Sequence, residues 1–302
     1  MNSIQNMKEE NGPFLQLLIL VFYAIVGLVA VSIVALALIY FQYGGSILKD
    51  LSWMTSSNPY YLPAQRMMLT AQQIGLFIIP AVLLAKTEGQ KLDVFYGFER
   101  PKAELLFIVL LIMVCAVPVL DWVTQLNQKM VFPDALKGIE RWMKNAEDQG
   151  TETTKSLLKM NNIGVFIINI GMIALLPAIA EELMFRAGLQ RTLGRMYRNP
   201  HLAIWFAAFI FSAIHMQFYG FLPRFFLGAA FGYLYFWSGS LWYAIVGHFI
   251  NNGYAVCAAW YMQKNNIPLS EADKSLDMAW YGYVISAILT FLLFRYFKNK
   301  TE

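Results

Sequence analysis

Residues 163–186 read IGVFIINIGMIALLPAIAEELMFR. From Ile163 to Ala180 there is no charged side chain, and then Glu181, Glu182 and Arg186 arrive together. A bilayer's hydrocarbon core is about 30 Å thick, so a helix rising about 1.5 Å per residue needs about 20 mostly apolar residues to cross it. The stretch reads as a membrane helix that carries ionisable groups into the bilayer. At mid-bilayer such a group costs at least about 2.5–3.5 kcal/mol on insertion scales, so it is rarely idle.

Working outward, the whole chain has the same character. Of its 302 residues, 58% are hydrophobic and only 14% charged, against about 25% charged in soluble domains. Eight stretches are long and apolar enough to cross: Phe14–Phe41, Met67–Ala85, Leu105–Leu120, Ile163–Ala180, Leu202–Phe218, Phe221–Trp237, Leu241–Trp260 and Trp280–Phe297. The expected fold class is all-α: a polytopic integral membrane protein with about eight transmembrane helices. Ala35-Leu36-Ala37 mimics a signal-peptide cleavage site, but the first apolar run is too long for an h-region and reads as an uncleaved span. The net charge of +4 is scattered, with no basic stripe, which excludes nucleic acid as a partner. Cys115 and Cys257 sit in separate apolar runs and read as packing residues, with no disulfide framework.

Lysine and arginine in short loops set the orientation. With both termini cytoplasmic, that side holds Lys8, Lys86, Lys91, Arg100, Lys102, Arg191, Arg195, Arg198, Arg295, Lys298 and Lys300. The opposite side holds Lys49, Arg66, Arg224, Lys264 and Lys274. In the long connection between Asp121 and Asn162, Leu136, Ile139, Trp142, Met143 and Ala146 recur at helical spacing. That pattern predicts an amphipathic helix on the outer membrane surface.

Three polar segments interrupt the apolar runs: Glu181–Arg186, Phe211–His215 and His248–Asn252. Arg191, Arg195 and Arg198 mark a helix exit, and Asn199-Pro200 is a turn signal. Glu181 lies as far before Arg198 as His215 lies after it, so antiparallel helices hold the two at matching depth. Residues four apart share a helix face, which pairs Glu182 with Arg186, Phe211 with His215, and His248 with Asn252. Glu181 is turned about 100° from Glu182. It is therefore assigned to a cavity, and Glu182 to the ion pair. His201 follows the turn and reads as a solvated helix-start residue. Gly228 and Gly232 have the spacing of close helix packing.

The ordered set EExxxR, FxxxH and HxxxN on successive membrane helices resembles the CAAX-protease and bacteriocin-processing (CPBP) family of intramembrane endopeptidases, related to the Rce-type CAAX prenyl proteases. The resemblance covers roughly residues 160–262. Where the family often has Gly directly after the motif arginine, this chain has Ala187 and then Gly188. It implies three parts: 1–159, N-terminal transmembrane helices and the amphipathic connector; 160–262, the protease-like core; 263–302, a last transmembrane helix and cytoplasmic tail. The implied activity is hydrolysis of peptide bonds in membrane-associated proteins or peptides, in a bacterial inner membrane.

The chemistry of the residues agrees. Peptide hydrolysis needs an activated water, a stabilised oxyanion and a protonated leaving amine. Glu181 suits the general base and later acid, His215 holds and polarises the water, and His248 and Asn252 donate to the oxyanion. Glu182, Arg186 and Phe211 support them. No HExxH zinc motif, paired intramembrane aspartates or GxSG serine signature occurs. The favoured reading requires no cofactor; the alternative makes Glu181, His215 and His248 ligands of zinc. Two other functions remain open from sequence: a non-catalytic scaffold or bacteriocin-immunity protein of the same fold, and an ion-coupled transporter. The last fits less well, because no two matching halves are present.

Overall fold

A computed structural model describes residues 9–273 and 275–302, so Lys8 and Lys274 of the charge count lie outside the described residues. Among the described residues there are nine principal helices: α1 Pro13–Tyr43, α2 Pro59–Thr87, α3 Ala103–Gln128, α4 Lys137–Leu157, α5 Ile163–Tyr197, α6 Pro200–Ala213, α7 Phe221–Ser238, α8 Leu241–Lys264 and α9 Trp280–Thr301. There is no strand among the described residues. This is the all-α, polytopic membrane architecture expected.

Contacts at the two ends of the bundle set the topology. Glu10, just before α1, pairs with Arg191 at 2.6 Å and Arg195 at 2.7 Å, at the end of α5. Arg191 also lies over Phe95, in the link between α2 and α3. Leu241 N–H donates to Gly97 O, and Lys300 pairs with Glu104. Glu10, Lys300 and the Arg191–Arg198 turn therefore gather at one end. At the other, Asn127 bridges Phe218 O and Leu222 N–H, and Gln263 bridges Met160 N–H and Leu158 O.

Among the described residues five helices, α1, α2, α3, α5 and α9, are long and apolar enough to cross a membrane. The sequence predicts eight spans. The difference falls on α6, which has 14 residues, and on α7 and α8, which carry Arg224, His248, Asn251, Asn252 and Gln263. Helices packed against protein need not be apolar all round. The expected fifth span also ends early. α6 stops at Ala213, Met216 adopts φ +55, and His215 sits in the turn between.

Prolines shape the interior. Pro118 cannot donate within α3 and loosens the turn around it. The Ser286 hydroxyl of α9 fills the gap, accepting from Val119 N–H at 3.1 Å and donating to Cys115 O at 2.5 Å. In α2, a π-helical segment, Ile74–Ile78, precedes Pro80. There Gly27 and Gly75 bring α1 and α2 into backbone contact, since a Cβ on either would overlap the other's carbonyl. In α5, π-helical segments occupy Ile170–Leu175 and Leu183–Gln190, on either side of Pro177 and the two glutamates.

The amphipathic connector is helical, as its spacing predicts, and lies across one mouth of the bundle. Trp142 packs on Phe218 at 5.5 Å, Glu147 accepts from Tyr219 N–H, and Arg66 donates to Leu157 O.

Candidate active site

Pro177 begins the construction of the site. Having no N–H, it leaves the carbonyl of Ile173 without its helical donor. The Asn252 amide of α8 takes that place at 3.3 Å. Asn251 in turn donates to Asn252 Oδ1 at 3.2 Å. The side-chain amide of Asn252 has a second N–H in hand, and it lines the cavity described below.

One helical turn after Pro177, Glu181 and Glu182 are both buried, as are Arg186 and His248. Glu182 uses both oxygens. Oε2 lies 2.9 Å from Arg186 Nε, and Oε1 accepts from His248 Nδ1 at 2.9 Å. The Arg186 contact is close but lacks hydrogen-bond alignment, and the other guanidinium nitrogens make no hydrogen bond among the described residues. Aromatic faces enclose this cation instead: Phe211 at 4.8 Å and Phe231 at 6.0 Å. Phe231 also stacks on the His248 ring at 5.2 Å. The expected Glu182–Arg186 pair is present, with His248 as an unexpected third member.

His215 is fixed by its own turn. Its Nδ1–H donates to Phe211 O at 2.7 Å. With both Nδ1 atoms donating, the Nε2 atoms of His215 and His248 are left free of these partners. Both point at Glu181: Oε2 is 3.9 Å from His215 Nε2 and 3.8 Å from His248 Nε2. These spans are too long for direct hydrogen bonds and suit a small bridging group. The other oxygen, Oε1, accepts from the Gln73 amide of α2 at 3.0 Å.

The cluster forms one wall of a cavity of about 870 Å³. Glu181, His215, His248 and Asn252 line it, with Phe211 and Phe231 beside them. Arg224 reaches it from α7, held by the Gln217 side chain at 2.6 Å. Ala146, Gly150 and Thr154 of α4 also line it.

All four candidate catalytic residues thus face one space. Two participants escape a reading of the sequence. One is Gln73, the second of the adjacent amides Gln72 and Gln73 at the edge of an apolar run, which gives a weak signal. The other is the Glu182–His248 bond, hidden because the Arg186 spacing already seemed to satisfy Glu182. His201 is exposed near the start of α6, with Tyr233 as its partner at 2.9 Å. Gly232 meets the Gln190 side chain, which donates to its carbonyl at 3.1 Å, so the close packing read from the glycine spacing is present.

Residues 163–254 match the family model described as type II CAAX prenyl endopeptidase Rce1-like. A protein of Bacillus subtilis (strain 168), "Uncharacterized protein YpbD", is 32% identical over 95 residues, covering 30% of this chain and 46% of that protein. The chain therefore matches about half the length of this curated relative. No solved structure matches it. The segment that supplies Glu181, Glu182, Arg186, Phe211, His215, His248 and Asn252 is thus the segment similar to the type II CAAX prenyl endopeptidase Rce1-like family.

Proposed function

We propose that the protein is an intramembrane endopeptidase that hydrolyses peptide bonds of membrane-associated proteins or peptides, with Glu181 activating the water. The observation that carries this reading is the convergence of two histidine Nε2 atoms on Glu181 Oε2 at 3.8 and 3.9 Å, on the wall of a large cavity. A water there donates one hydrogen to Glu181 and the other to an imidazole Nε2, which leaves a lone pair to attack the substrate carbonyl. Glu181 takes the proton as the carbon–oxygen bond forms. It returns that proton to the leaving nitrogen as the carbon–nitrogen bond breaks. The oxyanion receives the free N–H of Asn252 and the Nε2–H of His248, which enters the cycle as the imidazolium with a proton from solvent and keeps it throughout, while His215 Nε2 accepts from the water. Glu182, bonded to the far side of that ring, stabilises the imidazolium. The eight-span topology with both termini cytoplasmic, in a bacterial inner membrane, belongs to the same proposal.

A second reading has one observation behind it. Both histidines have Nδ1 fixed by a partner, as metal-ligating histidines do. Glu181, His215 and His248 would then hold zinc, which would supply an activated water. Against this, donors on one tetrahedral zinc sit about 3.3 Å apart, closer than the separations from Glu181. Among the described residues, no group of three or more His, Cys, Asp and Glu is arranged to hold a metal ion.

Cleavage of a membrane-anchored peptide library by the full-length protein in liposomes, with and without a strong chelator, separates these readings. Glu181→Gln should lower the rate by about 10²–10⁴-fold at normal folded yield, with the parent chelator-resistant. Chelator-sensitive activity restored by zinc would favour the metal reading. Wild-type cleavage by Glu181→Gln would sink both, and would return attention to a non-catalytic scaffold.

A further inference from the structure

Gln73 lies outside the segment similar to known endopeptidases, 108 positions before Glu181, yet it makes the direct hydrogen bond to Glu181 Oε1 at 3.0 Å. It is the last α-helical residue before the π-helical segment Ile74–Ile78. That segment abuts the backbone contact between Gly27 and Gly75, so the position of Gln73 is set by two packed helices. Gln73 itself lines the cavity. Its Oε1 is buried and makes no hydrogen bond among the described residues.

We infer that Gln73 is the positioning residue for Glu181. This rests on the proposed role of Glu181 as base. By holding Oε1, the amide leaves Oε2 as the oxygen that faces His215, His248 and the water. Gln73 also suits both protonation states of its partner. Its N–H donates to the carboxylate. After the proton is taken on Oε2, Oε1 is still a carbonyl acceptor, so the same N–H continues to hold it. The charged and titratable groups around Glu181 are His215 from the turn after α6, His248 from α8, Arg186 and Glu182 on α5, and Arg224 from α7. Gln73 is the neutral donor among them, and it comes from α2.

The test uses two readouts on the full-length protein in lipid bilayers. Infrared difference spectra, parent minus Glu181→Gln, isolate the Glu181 carboxylate band without any substrate. Gln73→Leu removes the donor at similar size and should shift that band. In cleavage of the membrane-anchored peptide library, Gln73→Leu should lower kcat by up to about 10²-fold with little change in KM. Gln73→Glu should be poor at neutral pH, where two carboxylates repel. It should recover as the pH falls until the pair shares one proton, a recovery that a structural role does not produce. An unchanged infrared band in Gln73→Leu overturns the contact. A shifted band with parental kcat overturns the positioning role. If the parent cleaves nothing, or Glu181→Gln cleaves like the parent, the endopeptidase reading fails and positioning of a base fails with it. The infrared result then still reports whether the bond exists.

Discussion

α1 and the middle of α5 are both long helices in an apolar protein, and they bury their surfaces in opposite ways. α1 buries a stripe, Gln16, Leu20, Ala24, Gly27, Ala35 and Ile39. It turns Val26, Val29, Ile33 and Phe41 outward. From Ala178 to Leu193, α5 buries nearly every side chain, including Glu181, Glu182, Arg186, Gln190 and Thr192. One is a wall against lipid, where a polar group finds no partner. The other is enclosed by α2, α6, α7 and α8, which supply Gln73, Phe211, Gly232 and His248 as partners. Ionisable groups in a membrane protein are placed where neighbouring helices can answer them.

The contrast breaks most visibly at Glu182. Replacing it with Gln leaves Arg186 buried without its counter-charge and removes the anion behind His248. Breaking one side of a buried pair typically costs about 3–5 kcal/mol. Thermal unfolding of Glu182→Gln in detergent should show that loss, whereas Glu181→Gln melts close to the parent. Equal destabilisation of the two variants would mean that both glutamates serve the same structural purpose.

Asn252 probes the enclosed helix from the catalytic side. Asn252→Ala removes the proposed oxyanion donor and should lower turnover by about 10²–10³-fold. It also frees Ile173 O at a stability cost of about 1 kcal/mol, so the rate should fall far more than the melting temperature does. A proportionate fall in both would assign Asn252 to repair of the Pro177 gap alone.

The smallest effect belongs to α1. Ile33→Leu, on its outward face, should stay within about 0.5 kcal/mol of the parent. A larger loss measured by thermal unfolding would mean that this face is covered by protein and that the lipid-wall description of α1 is wrong.

Much of this molecule follows from order along the chain. Apolar length identifies the membrane class, because no soluble core needs such runs of uncharged helix. The i,i+4 spacing pairs Glu182 with Arg186, because residues four apart on one helix must be neighbours. Equal counts from the Arg198 turn bring Glu181 and His215 to one depth, because antiparallel helices rise equally per residue. Those inferences succeed because helix geometry is local. The end of α6 was less legible, since the turn holding His215 depends on a left-handed Met216 that no glycine or asparagine advertises. The Gln73–Glu181 and Glu182–His248 bonds were not legible at all. They cross between helices distant in sequence, and which oxygen of a carboxylate meets which partner is fixed only by packing: the Gly27–Gly75 contact, the π-helical segments, and Phe231 stacked on His248. Sequence determined which groups enter the bilayer, and tertiary structure decided which partner each one meets there.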